Sequence, residues 1–133
     1  MTSEDLVHMA LALPGTEENA HFGKRDFRVA GRIFLTLPEA GRAVCKLTRG
    51  QQAMLVATQP GLCAAVPGGW GHKGWTSLYF DSAELDTVHH IVETAWRNVA
   101  PTGVVDENGG PVKHLDAPAG KHFPDSGQYG RNL

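Results

Sequence analysis

The side chains in this chain whose types and spacing could do chemistry are mostly cations. Of its 12 Lys and Arg residues, seven lie between positions 24 and 49: Lys24, Arg25, Arg28, Arg32, Arg42, Lys46 and Arg49. Only Asp26 and Glu39 oppose them there, a local balance of +5. Residues 1–23 carry four acids and no Lys or Arg, and residues 50–133 balance at -3, so the 133-residue chain nets -2. That total excludes a uniformly basic polyanion binder and leaves room for a local basic patch, which is what tracking a phosphate backbone needs. The same cations could instead pair with the acidic segments and form a solvated face of little energetic consequence.

Which cations converge depends on strand register. Residues 26–30 and 33–37 read as two strands joined near Gly31. A two-residue loop would set Arg28 beside Ile33. A three-residue loop, Ala30-Gly31-Arg32, pairs Val29 with Ile33 and Phe27 with Leu35, which collects the apolar residues on one face and is the expected register. Arg28 and Phe34 then share the other face, with Arg32 at the tip. In the next strand, residues 42–47, Arg42, Val44 and Lys46 alternate with Ala43, Cys45 and Leu47. With Lys73 in a glycine-rich loop, the candidate phosphate contacts are Arg28, Arg32, Arg42, Lys46 and Lys73.

A second constellation lies in PGGWGHKGWTSLYF, residues 67–80. Glycines let backbone approach closely, and Trp75, Ser77 and Tyr79 share one strand face while Thr76, Leu78 and Phe80 share the other. Trp70, Trp75 and Tyr79 could line a cleft for a small planar ligand. The tryptophans could equally be plugs between sheet and helix.

Other chemistry is thin. Asp86, His90, Glu93 and Arg97 follow one side of a helix, and a carboxylate–His–carboxylate row can ligate metal, but Glu93 and Arg97 have the spacing of an i,i+4 ion pair. No metal or cofactor is expected. Cys45 and Cys63 show no C-x-x-C spacing and read as reduced thiols. No nucleophile elbow, P-loop or dinucleotide fingerprint occurs, so no catalytic residue is assigned and the protein is expected not to be an enzyme. No apolar run approaches the ~20 residues that span a bilayer, and no leader opens the chain, so a cytoplasmic location without membrane contact is expected.

The elements that must position these residues are legible in part. A helix capped by Ser3 buries Leu6, Met9, Ala10 and Leu13 and stops at Pro14-Gly15. A turn-rich stretch follows. Thr48 and Gln51 form a capping box for a short helix with Met54 and Leu55 inward. A long helix, capped by Asp81 or Ser82, carries Leu85, Val88, Val92, Ala95, Trp96 and Val99 as one stripe and stops at Pro101. Beyond it, residues 102–133 are rich in Gly, Pro, Asp and Asn and read as an irregular tail. The expected architecture is α+β: one domain over residues 1–101, with helices packed on an antiparallel sheet.

The blocks ALALPGTEE (10–18), HFG (21–23), FRVAGRIF (27–34), KLT (46–48), VPGGWGHKGWT (66–76) and AWRNVAP (95–101), in that order, resemble the MmcQ/YjbR family of small bacterial proteins. The resemblance covers roughly residues 5–101, and its most specific part is the pair of tryptophans framed by glycines. It implies a single domain with a curved antiparallel sheet, YjbR-like, with two hairpin wings. The family is often labelled DNA-binding on the strength of those wings, which makes DNA the expected partner. A small planar ligand and a protein-interaction role are the alternatives, and the oligomeric state is left open.

Overall fold

A computed structural model of the protein describes residues 1–101, so the expected tail at 102–133 lies outside the described residues. Helix α1 (Ser3–Leu11) is capped by Thr2, one residue earlier than expected. The Thr2 hydroxyl accepts from the Asp5 amide at 3.1 Å, and the Asp5 carboxylate accepts from the Thr2 amide at 2.9 Å. Ser3 would have Leu6 in the reciprocal position, which offers no acceptor.

Six strands and three more helices follow: β1 (Thr16–His21), β2 (Lys24–Val29), β3 (Arg32–Glu39), β4 (Arg42–Lys46), α2 (Arg49–Thr58), β5 (Cys63–Ala65), α3 (Gly69–His72), β6 (Trp75–Tyr79) and α4 (Leu85–Val99). The strands form one sheet in the order β1-β2-β3-β4-β6-β5, and every neighbouring pair is antiparallel. The α+β architecture with helices on an antiparallel sheet is the expected one. Strand β1 replaces the expected turn. Its residues, TEENAH, have poor strand propensity and are mostly exposed, so pairing with β2 fixes them. Strand β5 and the one-turn α3 also lie where no regular element was expected.

The β2–β3 hairpin combines both registers weighed above. Its turn is the two-residue one: Val29 pairs with Arg32, and Ala30 and Gly31 both have left-handed backbones, φ 53° and 80°. A bulge then intervenes. Arg28 pairs with Ile33, but Phe27 pairs with Leu35, which leaves Phe34 as the extra residue of β3. The expected face assignment is corrected accordingly: Phe34 and Leu35 both enter the main core, and Ile33 turns to the face of Arg28. Without the bulge this turn would still set Phe34 opposite Phe27 but would send Leu35 and Leu37 to the face of Asp26; the bulge returns both to the core, where burying each contributes about 1.5–3 kcal/mol.

Ala30 holds a conformation that asparagine or glycine adopts more cheaply. Ala30→Asn is expected to stabilise the protein by about 0.5–1 kcal/mol, read as a higher urea midpoint at unchanged slope. A lower midpoint would show that the alanine methyl matters more than its backbone.

The main core lies between one sheet face and helices α1 and α4, and includes Leu6, Phe27, Leu35, Cys45, Leu78 and Val92. Trp96 joins it and donates its indole N–H to the Pro14 carbonyl at 2.9 Å. Three expectations about the helices are corrected. Leu85 is 56% exposed and Ile91 takes the inward place; Met54 is 66% exposed; and Glu84, not Asp81 or Ser82, stands at the start of α4, without a side-chain cap. The capping box of Thr48 and Gln51 opens α2 as expected. Among the described residues no helix is long and apolar enough to cross a membrane.

Cys45 and Cys63 are free and buried. Burial pushes the Cys63 thiol up to about 11 and raises Cys45 further, with Cys63 adding to it. Both thiols are expected to be silent to a thiol reagent at pH 8 and to react fully in denaturant; ready reaction of the native protein would contradict the packing. Because the folded Cys63 keeps its proton above the 9.0 of the open thiol, the unfolded chain ionises first, and stability falls as pH rises from about 9 to about 11.

Candidate functional site on the outer sheet face

The candidate residues gather on the sheet face turned away from α1 and α4. A row of paired positions crosses all six strands on this face: Asn19, Asp26, Thr36, Val44, Ser77 and Ala64. Asp26 and Thr36 are fully buried and Ser77 is 3% exposed. Such burial of polar groups is sustainable only with partners. Asp26 receives two hydrogen bonds from Arg28, Nε to Oδ1 at 2.8 Å and Nη2 to Oδ2 at 3.1 Å, and its Oδ2 lies 2.8 Å from Nδ1 of His21. Hydrogen bonding to Asp26 raises the pKa of the Arg28 guanidinium, against the opposing effect of its partial burial.

Three of the clustered arginines are claimed by carboxylates. Arg28 belongs to Asp26. Arg42 donates to Glu39 at 3.3 Å and to the Ser77 hydroxyl at 3.2 Å. Arg25 donates to Glu18 at 2.6 Å and to Glu4 at 3.1 Å, and these bonds, Glu18 first, raise its pKa. The acidic start of the chain is thus folded against the basic stretch at Arg25.

At the other end of the face the charges are arranged differently. The short α3 sets Trp70 edge-on to Trp75, with ring centroids 6.3 Å apart and planes at 74°. Both rings are buried, at 4% and 2%, in a cluster with Ile33, Val44 and Val66. Lys46 stands over the Trp75 ring at 5.7 Å, and Lys73 over the Trp70 ring at 4.8 Å. Each cation–π contact is worth ~0.5–2 kcal/mol depending on desolvation. Lys46 also donates to the Lys73 carbonyl. Burial, and then the charge of Lys73, lower the pKa of the Lys46 ammonium. Neither lysine has a carboxylate in ion-pairing range among the described residues.

Local structure explains why this corner holds its shape. Gln52 of α2 reaches into the loop and donates to the carbonyls of Gly71 and Trp75 and to the Thr76 hydroxyl, each at 3.1 Å. Asn98 of α4 donates to the Lys46 carbonyl at 3.0 Å. A Cβ at Gly71 would stand 2.0 Å from the Val66 carbonyl oxygen, so backbone approaches backbone there with no room to spare.

The sequence-derived sets are therefore divided. Lys46 and Lys73 meet, whereas Arg32, at the same end of the sheet, pairs with Val29 of the main core and so is on the face of α1 and α4. Arg28 lies inward with Asp26, and Arg42 stands at the opposite end of β4, opposite Tyr79. Trp70 and Trp75 meet, but Tyr79 is four positions along β6 from Trp75, ~13 Å at strand rise. It is 48% exposed and lines a separate cavity of about 430 Å³ with Gln59, Leu62 and Ala83. On α4, Glu93 binds Arg97 at 2.9 Å, and it is His89, not His90, that faces Glu93, at 3.9 Å. No group of three or more His, Cys, Asp or Glu that could hold a metal occurs among the described residues. Sequence reasoning missed His21, Asp26 and Gln52. The one available signal was Asp26, a lone acid inside a cationic strand.

Known proteins share this arrangement of elements. A solved structure of the Deinococcus radiodurans protein DR2400, a DUF419 domain, superposes with a TM-score of 0.65 at 18% identity, covering 88% of this chain and 94% of that one. At that identity the likeness shows the fold. Comparison with curated proteins gives no match. A family model described as YjbR matches residues 11–98, a span from the end of α1 almost to the end of α4. With both the sheet topology and most of the sequence in agreement, the chain belongs to the YjbR family.

Proposed function

We propose that this protein is a non-catalytic, cytoplasmic DNA-binding protein that holds a phosphate backbone at the Lys46–Lys73 corner of the sheet face turned away from α1 and α4. One observation carries the reading: two ammonium groups are brought together over buried tryptophans, with no carboxylate to neutralise them among the described residues. Like charges held side by side lose their mutual repulsion when an anion arrives. Arg32 stands at the same end of the hairpin but opposite Val29, on the other face of the sheet, and lies outside this corner. Arg28 and Arg42, already neutralised, shape the face instead of supplying charge. The label of the MmcQ/YjbR family points the same way, and two free thiols suit a reducing compartment.

The test is fluorescence anisotropy with a labelled oligonucleotide over a salt series. Affinity should fall with salt, by a slope of ~0.7–0.9 per phosphate neutralised. Lys46→Glu with Lys73→Glu should weaken binding by about tenfold or more, and Arg42→Ala should change it by less than about threefold. Polyglutamate is the control polymer. Absence of binding at low salt, or binding indifferent to salt, would sink the proposal, and self-association in place of binding would favour an interaction role.

A further inference from the structure

Helix α2 is poorly accounted for by the core. None of its ten residues is fully buried: Leu55 and Val56 pack partly against the main core, and Met54 is 66% exposed. Gln51 and Asn98 join α2 to α4 through a hydrogen bond of 2.8 Å. Beside that contact runs a groove of about 430 Å³, bounded by Gly50, Met54 and Leu55 on α2 and by His90, Ile91 and Thr94 on α4. Its lining is mostly apolar, and since Ile91 is buried, the apolar surface open to water there is chiefly that of Met54 and half-buried Leu55.

Gly50, in the groove wall, adds an independent observation. A glycine in the first turn weakens a helix relative to alanine, yet a Cβ there would meet nothing within 4 Å, and its backbone is not left-handed. Nothing among residues 1–101 demands it. A segment laid closely against the helix at this point gives the missing side chain a reason.

The chain itself supplies an occupant. Helix α4 ends at Val99, five residues past Thr94, and Ala100 is extended at φ -67° and ψ 127°. Ala100-Pro101-Thr102-Gly103 carries proline and glycine at the second and fourth positions of a type I turn, where each is favoured, and such a turn sends a chain back the way it came. Val104 and Val105 come next, an apolar pair in a stretch otherwise rich in Gly, Pro, Asp and Asn. Thr94 is ~7.5 Å back from Val99 along the helix, and four extended residues beyond Pro101 reach up to ~13 Å, so the pair is within range of the groove. We infer that Val104 and Val105 fill this groove and cover Met54, so that the segment after α4 is a strap fastening α2 to α4. The strap thereby also steadies Gln52, which braces the tryptophan loop from α2. It is independent of the DNA reading.

The experiment uses the full chain carrying Met54→Cys/Val105→Cys, oxidised in dilute solution; Cys45 and Cys63 are buried and stay out of the reaction. A disulfide within one molecule should form about tenfold faster than in Phe22→Cys/Val105→Cys, whose first thiol sits on an exposed turn at the β1 edge of the sheet. Because that pair removes Met54, a second measurement keeps it. Peroxide should convert Met54 to its sulfoxide about fivefold more slowly in wild type than in Val104→Asp/Val105→Asp. Equal cross-linking in the two cysteine pairs, or equal oxidation of Met54 in the two proteins, would overturn the strap. A disulfide between two molecules in place of one within the molecule would overturn it too, and would assign the groove to a second copy of the chain.

Discussion

Gly74→Ala should destabilise the protein by about 3 kcal/mol or more. Two penalties coincide at this position. The backbone has φ +100°, which L side chains rarely adopt, and a Cβ would stand 1.8 Å from the Leu47 carbonyl oxygen and 2.8 Å from its carbon. Both atoms are main chain, so no rotamer change relieves the contact. Nor can the segments move apart cheaply, because the Leu47 amide donates to the Gly74 carbonyl at 3.1 Å and the β4–β6 ladder starts one residue further on, at Lys46 and Trp75. Gly69→Ala, five residues away in open space, should change stability by less than about 0.5 kcal/mol. Thermal unfolding resolves the difference, since a domain of this size shifts by ~4–8 °C per kcal/mol. Equal midpoints for the two variants would show that the Gly74 contact is not the constraint described. The lysine corner is built on this ladder start, so Gly74→Ala should also abolish whatever depends on Lys46 and Lys73 being adjacent.

Asp26→Ala should cost about 3 kcal/mol, the lower end of the range for breaking a buried ion pair, because the Arg28 side chain keeps some access to water. Asp26 is fully buried and is the common partner of Arg28 and His21. Removing it strands the Arg28 guanidinium and takes from the His21 imidazole the carboxylate it faces. Asp26→Asn keeps the volume but turns an acceptor oxygen into a donor facing another donor, and should cost about 1–3 kcal/mol. A double-mutant cycle with Arg28→Ala isolates the pair and should return a coupling of about 1–3 kcal/mol. Additive single effects would mean that Arg28 and Asp26 are neighbours without being partners.

These two positions also show what a sequence discloses. The alternation in residues 42–47 and 75–80 separated the two sheet faces correctly, because no bulge interrupts the β4–β6 ladder. In β3 the same logic misplaced Ile33 and Phe34, since one bulged residue inverts every face assignment on one side of it. The cap of α1 was misread by one residue because three consecutive positions, Thr2, Ser3 and Glu4, carry capping or first-turn chemistry, and only the distance to Asp5 selects Thr2. Charge was the harder matter. That Lys46 and Lys73 meet no carboxylate among the described residues while Arg25, Arg28 and Arg42 are neutralised depends on partners 2 to 27 positions away, and Glu4, Glu18 and Asp26 are ordinary acids until the sheet places them. The chemistry at Gly71 and Gly74 was visible as a run of glycines, but not which of them touch backbone and which face open space.

Strand β1 is the outermost member of the sheet on one side, and β5, only three residues long, on the other. An outer strand offers unpaired amides and carbonyls to any chain that can lie alongside, which is how folded proteins recruit one another into fibrils. On β1 the exposed positions are Glu17, Glu18, Asn19 and Ala20. A second copy docking antiparallel would bring carboxylates toward carboxylates, and like charges directly opposite are unfavourable. The polar composition that disguised this segment as a turn is therefore also what opposes the addition of a second copy to the sheet at β1.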